Sequence, residues 1–341
     1  MLESITRNGT REQRVAASRT LATDTTIRAL RAKNESDITL EARRRRVTGL
    51  RPLKQRTIYT AQNSQILPGF IARSEGQPAT NDDAVDEAYD GLGHTFDFFW
   101  ENYQRNSIDD EGFHLNSTVH YGDKYNNAFW NGEWMVFGDG DGELFNRFTN
   151  SIDIIAHELG HGITAHETGL VYMFEPGALN EHLSDVWGSL VKQWVLGQNA
   201  DEADWLIGAG LFTNKVDGIA LRSMKAPGTA FDDKILGKDP QPDHMDDYAG
   251  TWEDNGGVHI NSGIPNKAFY LAATAIGGHT WEKAGRIWYE SARDPRVVKD
   301  TKFSQFATIT IDIAKKLPGI TQQEAKAVAD SWAQVGIVLP A

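Results

Sequence analysis

The chain has 341 residues, 40% of them hydrophobic and ten of them tryptophan, enough to bury two domains and an accessory segment; no run approaches the roughly 18–20 apolar residues of a membrane span. Cysteine is absent, which excludes disulfides and thiolate zinc sites and leaves any metal to His, Asp and Glu. The net charge of −13 is uneven, since residues 1–50 carry +5 and the other 291 residues −18, so a basic segment faces an acidic body.

The N-terminus, MLESITRNGTREQR, lacks the apolar stretch of a secretory signal. The expected localisation is therefore secretion by a route without a recognisable signal peptide, a trimmed start, or the cell interior. Residues 11–33 read as one or two polar, weakly amphipathic helices. Residues 34–56, with Arg43–Arg46, Gly49 and Pro52, read as exposed and cleavable. A basic arm for nucleic acid is disfavoured, because no aromatic residue is interleaved with the arginines and the acidic remainder repels phosphate. Docking of the basic segment on the acidic body of the same chain is the better reading.

From 57 to about 150 the chain reads as β-rich. TIYTAQ, STVHYG and EWMVFG have strand character, and turns fall at Asn131-Gly132 and at GDGDG (138–142). DEAYDGLGHTFDFFWENY (86–103) interrupts them with helical spacing of apolar residues, and its FDFFW reads as core. GDGDGE lacks the ligand spacing of a calcium loop and reads as a tight turn. Beyond 150 the pattern is helical, ending in TQQEAKAVADSWAQVG, where Thr321 and Glu324 form a capping box and Gly336 is a stop.

At the junction of the two regions lies IDIIAHELGHGITAHETG (152–169). Positions four apart share a helix face, so His157 and His161 can present their rings to one ion, with Glu158 one step round. A catalytic zinc needs a third protein ligand and one open position. GALNEHLSDVWGSL (177–190) offers Glu181, with Asp185 one turn on and Asn180 beside it to fix the ring orientation of the histidines. His182 should point away from the metal as a surface or packing residue. His94, His114, His120, His166, His244 and His279 have no partner spacing.

Five segments in order, NNAFWNGEWMVFGDGDG, HELGHGIT, GLVYMFEPGALNEHLSD, ALRSM and DNGGVHINSGIPNKAFY, resemble the thermolysin-like zinc metallopeptidases, most closely the protealysin-like precursors. The resemblance covers roughly residues 57–341. It implies an α+β fold of two lobes: a propeptide at 1–50, a β-rich N-terminal catalytic domain at 51–168 including the HELGH helix, and a helical C-terminal catalytic domain at 169–341.

The resemblance further implies one catalytic zinc held by His157, His161 and Glu181, with Glu158 as general base toward a zinc-activated water. His259 and Tyr172 would stabilise the oxyanion, with Asp254 orienting His259. Asn127 and Ala128 would hold the substrate backbone, and Arg222 a substrate carbonyl. Phe145, Phe148, Ile154, Ile207, Leu211 and Leu221 would form an apolar pocket, so cleavage is expected on the amino side of bulky hydrophobic residues. The implied partners are protein or peptide substrates and the chain's own propeptide, with no nucleic acid and no membrane. A zinc-stabilised, non-catalytic binding protein is the alternative. It is opposed by Glu158, Tyr172, Asp254 and His259, none of which metal retention requires.

The chain also departs from its relatives. Asp153 and Asp204 match positions of a calcium pair, but the remaining matching positions read Lys192, Leu206 and Ala209. Calcium is not expected there, and the Lys192 ammonium is expected in its place. Gly160 is expected to cost its helix up to about 1 kcal/mol relative to Ala without touching the chemistry. No proline precedes Pro52, so the proline-containing motif usual near the start of such propeptides is missing or lies upstream of a trimmed start. If maturation is autocatalytic, the apolar pocket points to Arg46–Val47 or Gly49–Leu50 as the scissile bond.

Overall fold

The computed structural model describes residues 1–36 and 53–337; the arginine run and both expected processing bonds lie outside the described residues. The N-terminal segment forms two helices, α1 (Leu2–Asn8) and the 26-residue α2 (Arg11–Ser36). The second matches the expected helix at 11–33; the first was not foreseen.

Next comes a five-stranded sheet of order β2-β1-β3-β5-β4, built from β1 (Arg56–Thr60), β2 (Phe70–Ser74), β3 (Leu115–Val119), β4 (Ala128–Trp130) and β5 (Met135–Phe137). β1, β3 and β5 run parallel, while β2 and β4 close the two edges antiparallel. α3 (Asp83–Tyr103) covers the sheet. The Asp82 carboxylate accepts from the backbone N–H groups of Ala84 and Val85 to start this helix. Val85, Leu92, Phe96 and Phe99 recur on its buried side, so the aromatic cluster is core as read.

Helices α4 (Ile152–Thr168) and α5 (Phe174–Leu196) form the middle of the molecule. Their close approach depends on two glycines. A Cβ on Gly160 would lie 2.9 Å from Trp187 Cδ1, and one on Gly188 would lie 2.5 Å from the Asp153 carbonyl oxygen. The reading of Gly160 as only a propensity cost is therefore corrected. A side chain there would press on the Trp187 ring, while the backbone approach of the two helices is closest at Gly188.

The C-terminal half adds α6 (Asp254–Asn261), α7 (Gly263–Ile276), α8 (Ala284–Ala292), α9 (Phe303–Lys316) and α10 (Gln322–Gln334). The Thr321–Glu324 capping box is present, and the Trp332 ring stacks on Trp288 with centroids 5.9 Å apart. The expectation of helix alone beyond 150 needs amending. Four two-residue strands pair as β6 (Leu206–Ile207) with β7 (Arg222–Ser223) and β8 (Asp232–Asp233) with β9 (Gly237–Lys238). Runs this short leave no alternation to read.

The N-terminal helices bridge the two lobes. Ser4 Oγ donates to the Ile235 carbonyl at 2.9 Å on the helical lobe, and the Asn126 N–H donates to Thr20 Oγ1 at 3.3 Å on the β-rich lobe. Ile5 and Ala17 are fully buried. Among the described residues the ion pairs to the body are exposed and long, Arg19–Asp123 at 3.5 Å and Glu12–Lys124 at 3.9 Å. The arginine run behind the expected electrostatic docking lies outside the described residues; the described helices are held by apolar burial and by hydrogen bonds, among them those from Tyr125 and Asn127 to the buried Asp24 carboxylate.

His120, passed over in the sequence, lies between two carboxylates: Nδ1 is 2.8 Å from Asp139 Oδ2 and Nε2 is 3.0 Å from Asp82 Oδ2. It ties the GDGDG turn to the start of α3. The hydrogen bond to Asp139, aided by Asp82 and opposed by burial, pushes the imidazole up to about 9. A folded value above the unfolded one of about 6.5 means the tie contributes fully below that pH and is lost as pH rises through 9. Between pH 6 and pH 10 the wild type should lose on the order of 2 kcal/mol that His120→Gln never had, after discounting for the partly exposed carboxylates. Denaturant titrations of both proteins across that range check this; parallel pH profiles would contradict it.

Candidate active site

The helix spacing of 157 and 161, set against α5 across the glycine contact, brings three donors together. One ligand atom each from His157, His161 and Glu181 lies within 4.8 Å of the others. Nε2 of His157 is 3.5 Å from Glu181 Oε2, and Nε2 of His161 is 3.4 Å from Glu181 Oε1. Tetrahedral zinc with bonds near 2.0–2.1 Å separates its ligands by about 3.4 Å, so this donor set fits. Burial disfavours the Glu181 charge, but the imidazoles of His259, His161 and His157 hold its carboxyl well below the usual range. Its Oε2 is buried with no hydrogen-bond partner, as expected of an atom reserved for a cation.

The groups behind the ligands are equally ordered. Asn180 Oδ1 and Ser184 Oγ lie 2.8 and 2.9 Å from His161 Nδ1, and Asp185 Oδ1 lies 2.8 Å from His157 Nδ1. Both rings therefore turn Nε2 toward the gap. Arg222 donates two bonds to Asp185, Nε to Oδ2 at 2.9 Å and Nη2 to Oδ1 at 2.6 Å. Although burial opposes it, the Arg222 charge and His157 keep the Asp185 carboxyl well below its ordinary value. Ser184 and the tie of Arg222 to Asp185 were not foreseen.

Opposite the ligands, the Tyr172 hydroxyl donates to Glu181 Oε1 and lies 3.2 Å from His259 Nε2. Asp254 through Gly257 all have positive φ, a left-handed turn that folds the Asp254 carboxylate back under His259. Asp254 Oδ1 is 2.7 Å from His259 Nδ1, and the His259 N–H donates to Asp254 Oδ2 at 2.8 Å.

The cleft in front of these groups is lined by Glu158, Asn127, Ala128, Arg222 and, from the expected pocket set, Phe148, Ile154 and Leu221. Phe145, Ile207 and Leu211 are not in that lining and are almost wholly buried, at 1%, 0% and 0% exposure. Phe129 and Trp130 line the cleft unforeseen; both follow Ala128 on β4, so the edge-strand reading could have been extended to them. Asp24 and Ile27 of α2 also lie in the cleft, and Asn127 Nδ2 donates to Asp24 Oδ2 at 3.0 Å, as does the Tyr125 hydroxyl to Oδ1. No sequence signal pointed to these two.

His182 is a buried packing residue rather than a ligand. Burial pushes it down to about 4, so it is neutral at ordinary pH. On α5, Lys192 Nζ lies 3.2 Å from the buried Asp153 Oδ2 and donates to Asp204 Oδ1 and Oδ2 at 3.0 and 2.9 Å and to the Leu206 carbonyl at 3.1 Å.

Family models of the thermolysin metallopeptidase match almost end to end, the catalytic domain over residues 9–165 and the alpha-helical domain over 168–337. The chain belongs to the thermolysin metallopeptidase family. This thermolysin-family chain is 58% identical over 282 residues to an extracellular metalloprotease of Pectobacterium carotovorum subsp. carotovorum, a match covering 83% of this chain and 81% of that one. It is 52% identical to Protease PrtS of a Photorhabdus species, over 83% of this chain and 76% of the other. A solved structure described as the precursor of protealysin, a metalloproteinase from Serratia proteamaculans, aligns with a TM-score of 0.88 at 51% identity, over 99% of this chain and 97% of that one. The protein is thus an α+β zinc metalloendopeptidase of the neutral, thermolysin-like kind. Among the described residues no helix is long and apolar enough to cross a membrane.

Proposed function

We propose that this endopeptidase is made as a precursor whose residues 1–50 are a removable propeptide, with catalytic domains at 51–168 and 169–341, and that it cleaves polypeptides on the amino side of bulky hydrophobic residues. The observation that carries the reading is the convergence of His157, His161 and Glu181 beside a cleft that Glu158 lines. Zinc, when bound there, supplies a Lewis acid that polarises a carbonyl and makes water more acidic.

The protein's own groups do the rest. Glu158 accepts the proton that water loses and passes it toward the leaving amine. Tyr172 and His259, the latter held by Asp254, donate to oxygen as negative charge develops on it. Asn127 and Ala128 at the start of edge strand β4 pair with substrate backbone. Arg222, held by its two bonds to Asp185, grips a substrate carbonyl beside a pocket whose Phe148, Ile154 and Leu221 select an apolar side chain.

The propeptide reading is supported by the likeness to the protealysin precursor and by Asp24 holding the donor of Asn127, which a substrate would otherwise use. Secretion is supported by relatives named extracellular. The Lys192 ammonium stands in for a calcium ion between Asp153 and Asp204, supported by its short contacts to both.

Digestion of a peptide library by the mature enzyme, read by mass spectrometry, should give cuts preceding Leu, Ile, Phe and Val. A chelator should abolish them and zinc restore them. A preference for charged residues after the scissile bond would overturn the specificity, and activity untouched by chelation would overturn the zinc reading.

A further inference from the structure

Asp185 has more partners than the ligand His157 requires. Oδ1 receives Arg222 Nη2 at 2.6 Å and lies 2.8 Å from His157 Nδ1; Oδ2 receives Arg222 Nε at 2.9 Å and Asn266 Nδ2 at 2.8 Å. An ionised carboxylate offers about four acceptor positions; Arg222 and Asn266 fill three, and His157 lies against the carboxylate as its charge partner. Behind Asn266 the bonds continue: His182 Nδ1 is 2.8 Å from Asn266 Oδ1, and Trp288 Nε1 donates to His182 Nε2 at 2.8 Å. His182, Asp185 and Asn266 are all fully buried, so no water competes.

The direction of this chain is fixed by its far end. An indole nitrogen can only donate, so His182 Nε2 carries the lone pair and Nδ1 carries the hydrogen. That hydrogen makes the Asn266 oxygen face His182, which leaves the Asn266 amide nitrogen to face Asp185. Reversed, the amide would set its oxygen against a carboxylate oxygen. We propose that His182 and Asn266 are positioning residues for the metal site, a one-way hydrogen-bond relay from Trp288 that locks Asp185 and, through it, the ring of His157. The inference rests on the zinc reading above.

The relay makes a prediction that packing alone does not. His182→Leu keeps the apolar contacts with Phe269 and Phe306 but removes the donor to Asn266. His182→Asn can keep a donor near the Nδ1 position while losing volume. Zinc content is measured first, and a wild type that binds no zinc would fail the zinc reading rather than the relay. With zinc bound, release to an excess of a chromophoric chelator should be about 10- to 100-fold faster for His182→Leu, and within about threefold of wild type for His182→Asn. Equal release from wild type and His182→Leu, or equally fast release from both variants, would overturn the relay. Should His182→Leu not fold, nitrogen NMR of the zinc-loaded wild type decides. A hydrogen on Nδ1 of His182 supports the relay, and one on Nε2 refutes it.

Discussion

Glu158→Gln should lower kcat/KM for peptide hydrolysis by roughly a hundred- to ten-thousand-fold while zinc still binds at one ion per chain. Glu158 follows the ligand His157 on α4, lines the cleft and lies outside the converging donor set. The amide matches the carboxylate in shape but cannot accept a proton, so the loss isolates base catalysis from metal binding. If the chain matures by cutting itself, the same variant should also accumulate uncut. Steady-state kinetics, metal analysis and gel mobility on one preparation check all three. Retention of more than a tenth of the activity would remove Glu158 from its role, and an inactive wild type with full zinc would favour a binding protein.

The second large effect is expected at Lys192. Asp153 is wholly buried and already accepts from Ser151 Oγ at 2.6 Å and the Gly208 N–H at 3.1 Å, so its remaining oxygen depends on the ammonium. Burial disfavours the lysine charge, but Asp153 and Asp204 outweigh this and raise it above its ordinary value. Lys192→Met leaves a buried carboxylate uncompensated, at a cost of about 3–5 kcal/mol. That corresponds to a melting temperature lower by roughly 5–10 °C. Calorimetry of both proteins, with and without calcium, tests it. Wild type should melt at the same temperature in calcium and in a calcium chelator. A calcium-dependent rise in the wild type would show that a divalent ion, not the lysine, bridges those aspartates.

The metal site was legible because its determinants are local and periodic. Four-residue spacing within α4, and again from Glu181 to Asp185 in α5, puts the relevant side chains on single helix faces. The long helices were legible for the same reason. What escaped was tertiary. Gly160 reads as a weak helix residue until Trp187 is seen against it, and His120 reads as solitary until Asp82 and Asp139 arrive from opposite sides. The expected pocket divided into residues that line the cleft and residues that support it, because apolar character does not say which layer a side chain occupies. Asp24 lies about a hundred residues from its partners Tyr125 and Asn127, and no periodicity reports such a meeting.

The hold of α1 and α2 on the body has a kinetic consequence. Its described polar contacts are few, and sixteen residues join Ser36 to Leu53. While the chain is uncut, the return of the helix to the groove is an intramolecular event, and covalent linkage can raise the effective concentration of such a partner to about millimolar. The proposed cut would turn the same contacts into a bimolecular association at whatever dilution surrounds the enzyme. If residues 1–50 are removed as proposed, severing a single bond lowers the hold of these helices on the groove without any change in the surfaces themselves.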